Sequence, residues 1–386
     1  MKILQIYELR PYECGAGGVE VVIAETSKRL VEMGHEVTIL SGANSNIDEE
    51  YIDGIRVKTV DFLGSMGRSW NPSNLTFGRQ LMFPLSAIFN RLGSFDIYHG
   101  HIYSSGLVAN LLARMNGGVA VNTIHGSYYP VWNVLTDPIS AAFYQNVERI
   151  LAPALARISG VQIHTGEYFA KQVLKWGVHE DKIRVIHNGV DEKRFNPDVE
   201  PILKSDVPIV LTARRLVKKN GIDYLVRAMK DVLRTNQCRL IILGRGPECA
   251  NLKRLVFSLG IEEHVDFIGA IPHDEMPGYI ATADVVVVPS IIEASSLFML
   301  EAMAMGKAVV ATDAGGLPEV MDENSGILVP AMNEKALTWA IVKLLDDLVL
   351  QRKLGKCAQR LVISRFTWDK VTKQIEEEYS RLLELD

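Results

Sequence analysis

The sequence predicts an α/β fold of two doubly wound domains, and three observations carry that expectation. Short β-branched or aliphatic runs alternate with helical stretches along both halves, the pattern of parallel sheets with helices on both faces. Many of the runs end in Gly, Pro, Ser or Asn turns, and open α/β sheets bind ligands at the carboxyl ends of their strands. The 386 residues exceed one ordinary domain and suit two of about 190 each.

Composition narrows the classes. A formal net charge of −5 argues against a dedicated nucleic-acid partner. The cysteines (Cys14, Cys238, Cys249, Cys357) contain no C-x-x-C, so neither a disulfide framework nor a zinc site is expected, and a reducing cytoplasm is the default. Met1–Tyr7 reads as a short strand rather than a signal peptide, because it breaks at Glu8 and Arg10. No apolar run approaches the roughly 18 residues that span a bilayer.

In the first half, strand Lys2–Ile6 leads through a loop with Gly15-Ala16-Gly17-Gly18 into helix Val19–Met33, then strand Glu36–Leu40. A dinucleotide-binding reading fails here. The third glycine of G-x-G-x-x-G falls on Glu20, and the second strand ends at Leu40-Ser41 without an acid. Strand Ile55–Val60 is followed by helix Phe77–Leu92, with Leu81, Leu85, Ile88 and Leu92 on one stripe. A core position is favoured over peripheral contact with an inner membrane face. Phe95–His99 and Ala120–Thr123 read as strands. His99-x-His101 lacks the Cys or carboxylate neighbours of a metal site and is taken as a pair of strand-end histidines. His125-Gly126 lies just past a strand, where ligands bind. Strand Ile183–Ile186 closes a first domain of residues 1–190, and the polar, Pro-containing segment 191–208 is the expected linker.

The second domain, 209–366, opens with strand Ile209–Thr212 and the cationic loop Ala213–Gly221, followed by helix Ile222–Thr235. Such a loop feeding a helix N-terminus suits a diphosphate by charge and by donors. Strand Arg239–Leu243 ends in Gly244-Arg245-Gly246-Pro247, and strand Val265–Gly269 follows. Then come strand Val285–Val288, a loop, helix Leu297–Met305 with Ser295 or Ser296 as cap, strand Val309–Thr312 and the turn Gly315-Gly316. Glu293 precedes the cap and Glu301 lies inside the helix. A helix N-terminus favours phosphate, whereas carboxylates suit sugar hydroxyls. A phosphate flanked by two sugars is a nucleotide-diphosphate sugar.

E-x7-E at Glu293 and Glu301, the run A-M-A-x-G-K-x-V-V-A-T and the turn G-G-L-P-E together resemble the retaining family 4 (group 1) glycosyltransferases. Asn188-Gly189-Val190-Asp191 with Phe195-x-Pro197 matches their N-G-V-D…F-x-P, and Gly17, Gly18 and Glu20 match their G-G-x-E. The resemblance implies the GT-B fold, two Rossmann-like domains facing across a cleft, with a terminal helix (367–386) rejoining the acceptor-binding first domain. It implies transfer of a sugar from a nucleotide-diphosphate donor, UDP-sugar before GDP-sugar, to a glycan, lipid-linked or polyol hydroxyl with retained anomeric configuration. His125 would contact the donor sugar and Glu293 its hydroxyls. Gly17 and Gly18 would face the diphosphate, and Glu301 would hold the ribose. Gly244, Ile268 and Gly269 would line the base. Arg215, with amides near Ser295, Ser296 and Leu297, would stabilise the leaving diphosphate. Within the pattern G-R-L-x-x-x-K-G, Arg215 matches the arginine but Asn220 stands where the lysine should be. The expectation is that Asn220 caps helix 222–235 and that Lys219 replaces the lysine, with Lys218 pointing away. No cofactor is expected beyond the co-substrate, and no metal, since the chain has no D-x-D. An epimerase of the same fold and a non-catalytic nucleotide-sugar sensor are the alternatives. A glycosidase would have no use for the cationic loop.

Overall fold

The computed structural model describes residues 1–12, 17–42, 49–60, 83, 86–88 and 92–385. The chain divides into two compact units. One comprises Met1–Trp132, Pro138–His187 and Trp368–Asp386, the other Asn133–Asp137 and Asn188–Thr367.

The first unit is built on β1 (Lys2–Tyr7), β2 (Glu36–Gly42), β3 (Glu49–Ile52), β4 (Ile55–Val60), β5 (Ile97–His101), β6 (Val119–Ile124), β7 (Val161–His164) and β8 (Ile183–Val185). They form one sheet in the order β3-β4-β2-β1-β5-β6-β7-β8. Every neighbouring pair is parallel except β3 with β4. The order reverses between β1 and β5, and such a switch point is where this kind of sheet opens a ligand crevice. Leu4, Ile6, Leu40, Val60, Tyr98 and Leu112 share one core cluster. The terminal helix Trp368–Leu385 buries Val371, Ile375, Tyr379 and Leu382, an i, i+4, i+8, i+11 stripe. Its rim is tied down by Arg29 to Asp369 at 2.7 Å and Arg184 to Glu378 at 2.8 Å.

Two expectations shift here. The strand read as Phe95–His99 is Ile97–His101, so His99 and His101 sit inside β5 with fully buried side chains. Of the helix expected over 77–92, Phe83, residues 86–88 and Leu92 are described, and the rest lies outside the described residues, as do Gly15 and Ala16. Phe83 and Ala87 are buried in the core cluster.

The second unit has β9 (Ile209–Ala213), β10 (Arg239–Leu243), β11 (Val265–Gly269), β12 (Val285–Val288), β13 (Ala308–Thr312) and β14 (Ile327–Val329). Their order is β11-β10-β9-β12-β13-β14, all parallel. This is the 3-2-1-4-5-6 arrangement, with its switch point between β9 and β12. β12 is four valines, all buried, because both faces of the sheet are covered. Val286 and Val288 pack with Met299 and Met303, while Val285 and Val287 pack on the other side with Val226 and Ile341. Residues 191–208 pack on this unit, with Phe195 in its core and the Val190 N–H donating to the Phe366 carbonyl at 2.9 Å. Among the described residues, no helix is long and apolar enough to cross a membrane.

Candidate functional site

The loops after β9 and β12 meet at the second unit's switch point. After β9 the chain runs through Arg214 and Arg215 into a 3₁₀ turn, Lys218–Asn220, and then Gly221 at φ 60°. A side chain at Gly221 would collide with the Pro289 carbonyl oxygen, so glycine is required twice over. The Ile291 N–H donates to the Lys219 carbonyl at 2.7 Å and joins the two loops.

Glu293 is the centre of this junction. Its carboxylate is gripped by the Arg214 guanidinium and faces Lys219 Nζ at 3.7 Å, and its side chain is 12% exposed. Burial alone would raise its pKa, but Lys219 and Arg214 outweigh burial and pull it down to about 2. The loop is also held from behind. Gly315 lies at φ 61° against the Glu293 carbonyl, and the Gly316 N–H donates to that oxygen at 2.9 Å. The G-G-L-P-E turn therefore clamps the glutamate loop.

One expectation is corrected. Asn220 does not cap the following helix, which runs Ile222–Val232 with Gly221 at its N-cap and no side-chain cap bond. Instead the Asn220 amide donates to the Arg215 carbonyl at 2.7 Å and its oxygen accepts from Arg214 at 3.2 Å. Lys218 and Lys219 lie in a 3₁₀ turn, in which Lys218 is exposed and Lys219 turns inward. The arginine on Glu293 is Arg214, which the sequence reading passed over. Arg215 is exposed and makes no ion pair among the described residues. The signal lay in the G-R-L-x-x-x-K-G pattern, where Arg214 stands at the glycine and Asn220 at the lysine. The two departures are hydrogen-bonded to each other.

Ser296 caps the helix Leu297–Ala304, accepting from the Met299 N–H at 3.3 Å and from Arg214 at 3.3 Å. Ser295 Oγ is buried without a hydrogen-bond partner among the described residues, while its carbonyl accepts from Asn188 at 3.0 Å. Glu301 points back along the helix to His273, Oε1 lying 2.7 Å from Nε2. No sequence signal singled out His273. The second Glu301 oxygen has no hydrogen bond among the described residues. Gly244 and Gly269 lie at φ 125° and 91°, and the Gly244 N–H donates to the Gly269 carbonyl at 2.7 Å. A side chain at Gly244 would strike the Arg214 carbonyl, so this turn supports the arginine loop. Ile268 beside it is exposed. Among the described residues there is no cluster able to hold a metal ion.

In the first unit Gly17 is the N-cap and Gly18 the first residue of the helix Gly18–Glu32. His125 follows β6 and bonds inward to His101, Nε2 to Nδ1 at 2.9 Å. Its loop is anchored by the buried Glu148, which accepts from Ser127, from the Tyr128 N–H at 3.2 Å and from Trp132 Nε1 at 2.8 Å. Burial pushes His99, His125 and His164 down to about 3, and His101 also falls well below its ordinary value. These folded values lie below the unfolded one, so between about pH 6.5 and 3 the unfolded chain binds more protons. Their stabilisation is fully present above pH 6.5 and lost as pH falls. Each deeply buried ring removes up to about 1.4 kcal/mol per pH unit in that window. The melting temperature should drop steeply from pH 6.5 to 5 in thermal scans, and a flat profile would contradict neutral buried rings.

Comparison with known proteins divides the chain a few residues beyond the boundary of the first unit. Residues 16–194 match the family described as Glycosyltransferase Family 4, and residues 195–361 match Glycosyl transferases group 1. An uncharacterized glycosyltransferase of Methanocaldococcus jannaschii is 27% identical over 96% of this chain and 95% of its own. A D-inositol 3-phosphate glycosyltransferase of Salinispora tropica is 28% identical over 94% of this chain and 81% of its own. Among solved structures, sucrose-phosphate synthase from Thermosynechococcus elongatus superposes with a TM-score of 0.87 at 24% identity, covering 100% of both chains. Anabaena HepE, in complex with UDP and glucose, gives 0.76 at 20% identity over 99% of this chain and 100% of its own. Likeness at such identities speaks to the fold.

Proposed function

Since the chain belongs to the group 1 glycosyltransferases of family 4 and has the GT-B fold, we propose that it moves a sugar from a nucleotide-diphosphate donor to a hydroxyl acceptor, with retention and without a metal. The observation that carries this reading is Glu293, held ionised by Arg214 and Lys219 beside a capped helix N-terminus at the switch point. Two cations against one anion leave the loop positive, and exposed Arg215 adds to it. A diphosphate therefore meets a favourable field even with Glu293 charged, and the field counts for more as the departing oxygen gains charge. Glu293 itself stays a carboxylate near neutral pH, so it accepts from donor-sugar hydroxyls and does not deliver protons. Glu301 keeps one oxygen for the ribose while His273 holds the other.

UDP-sugars are the first choice of donor, and the UDP bound by HepE supports it. A polyol phosphate acceptor is supported by the inositol phosphate in the names of several relatives. Incubation with labelled UDP- and GDP-sugars and such acceptors tests the reading. Transfer, or slow hydrolysis releasing sugar of the donor's anomeric configuration, is expected, and chelator should leave the rate in place. Epimerised donor, or binding without turnover, would overturn it.

Lys219 should matter and Lys218 should not. Lys219→Ala removes the second cation facing Glu293 and should raise the donor KM or lower kcat about ten-fold, the scale of one charged contact. Lys218→Ala, on the exposed side of the turn, should behave as wild type in the same steady-state assay.

A further inference from the structure

The first unit carries a series of buried hydrogen bonds on one face of its sheet, across the switch point. Gln5 in β1 lies opposite His99 in β5, and His101 opposite Thr123 in β6, so side-chain alternation puts all four on one face. The Gln5 oxygen is 2.7 Å from His101 Nε2, and His101 Nδ1 is 2.9 Å from His125 Nε2. On the other arm, Gln5 Nε2 is 3.5 Å from the Tyr379 hydroxyl, which is 2.5 Å from His99 Nδ1. His99 Nε2 ends that arm 2.6 Å from Thr123 Oγ1. The three imidazoles stack, with ring centroids 4.4 Å and then 5.2 Å apart. Gln5, His99, His101, Thr123 and Tyr379 are all buried.

A neutral imidazole has one N–H and one lone pair, so each bond in the series dictates the next. The Gln5 oxygen can only accept, which puts a proton on His101 Nε2 and leaves Nδ1 as an acceptor. His125 must then carry its proton on Nε2 and its lone pair on Nδ1. Along the other arm, the Gln5 N–H donates to Tyr379, Tyr379 to His99 Nδ1, and His99 Nε2–H to Thr123. Every bond in both arms then joins one donor to one acceptor. Turning the Gln5 amide over reverses every bond in both arms and makes His125 Nδ1 a donor. Protonating His101 would force the His125 proton from Nε2 to Nδ1, so that Nε2 could accept. One amide thus governs a ring two bonds away.

We infer that Gln5, acting through His101, is a positioning residue that fixes the tautomer of His125 and leaves Nδ1 to accept a hydrogen bond from a hydroxyl of the donor sugar. The sugar contact rests on the proposed transferase reading, whereas the tautomer is a property of the free protein. Nδ1 has no hydrogen-bond partner among the described residues. A ring fixed this way accepts from hydroxyls and discriminates against a donor whose corresponding position bears only an acceptor.

The test uses the full chain with ¹⁵N-labelled histidine, in which long-range ¹H–¹⁵N spectra show which ring nitrogen carries the proton. His125 is assigned by the signal lost in His125→Gln. At pH 7.5 the wild-type spectrum should show His125 protonated on Nε2 alone. Gln5→Leu and His101→Phe should each give His125 as a mixture of tautomers. In both, kcat should fall about ten-fold, the scale of one hydrogen bond, with the affinity for free UDP unchanged. A proton on Nδ1 in the wild type overturns the inference whether or not the Gln5 and His101 variants fold. So does an unchanged His125 tautomer in both folded variants. A confirmed tautomer with normal kinetics in His125→Gln would remove the sugar contact and leave the relay standing.

Discussion

Glu293→Gln is expected to lower transfer by about 10²-fold or more, while affinity for the free nucleotide diphosphate stays level or rises. The sign follows from the charges around it. Arg214 and Lys219 are now partly neutralised by Glu293, so removing that anion strengthens the field a diphosphate meets. The sugar loses a charged acceptor at the same time, and hydrogen bonds to charged groups are the stronger kind. The unliganded variant should also melt earlier, because the buried Arg214 loses its counter-charge, and bound nucleotide should restore part of that loss. Calorimetric titration with UDP beside a transfer assay checks both halves. Nucleotide affinity that falls ten-fold or more would mean that Glu293 binds the nucleotide and not the sugar.

Arg214→Ala should give the opposite signature, with loss of stability in every state. It leaves a buried carboxylate with one cation at 3.7 Å, and breaking one side of a buried pair typically costs about 3–5 kcal/mol. It also takes the Arg214 donor from the Asn220 oxygen and one of two donors from the Ser296 hydroxyl. The Glu293 pKa, held at about 2 in the intact site, should move up. Activity needs the carboxylate ionised, so the acid limb of the pH–rate profile should shift to higher pH. Arg214→Lys should rescue little, because a single ammonium cannot serve Glu293, Asn220 and Ser296 from one planar fork. Wild-type melting and pH behaviour in Arg214→Lys would show that charge alone is required there.

The second unit's strands were legible because the physics that forms them is local. Four consecutive valines can only be a strand covered on both faces, and Ser296 before an apolar helix is a cap by its own chemistry. Glu293 and Glu301 were legible through spacing and a recognised pattern. Arg214 was not, because the same pattern drew attention to Arg215. Only the geometry shows that an arginine at the glycine position and an asparagine at the lysine position answer each other. His273 was beyond reach, since a loop histidine gives no sign that a helix elsewhere will present it with a carboxylate. His99 and His101 were set aside as a metal pair and taken as strand-end histidines, and neither reading anticipates a network assembled by strand order. The one readable hint was Gln5, a polar residue within a strand whose neighbours are all apolar. The helix Ile102–Asn116 starts from Ile102 at φ 67°, a strained conformation that a β-branched residue does not announce.

The double hold on Glu293, by Gly316 on its backbone and by Arg214 and Lys219 on its carboxylate, also bears on the thermodynamics of donor binding. Fixing a glutamate side chain forfeits about 1.5–2 kcal/mol of rotamer freedom. Here that entropy is surrendered during folding, before any donor arrives. Binding should therefore show a smaller entropic penalty than a loop ordered by its ligand, and a comparatively small heat-capacity change beyond the surface it covers. Gly315→Ala would put a methyl group against the Glu293 carbonyl at a left-handed φ, releasing the loop. Its calorimetric signature would be an entropy of donor binding that turns more unfavourable than the wild type's, even where the affinity lost is modest.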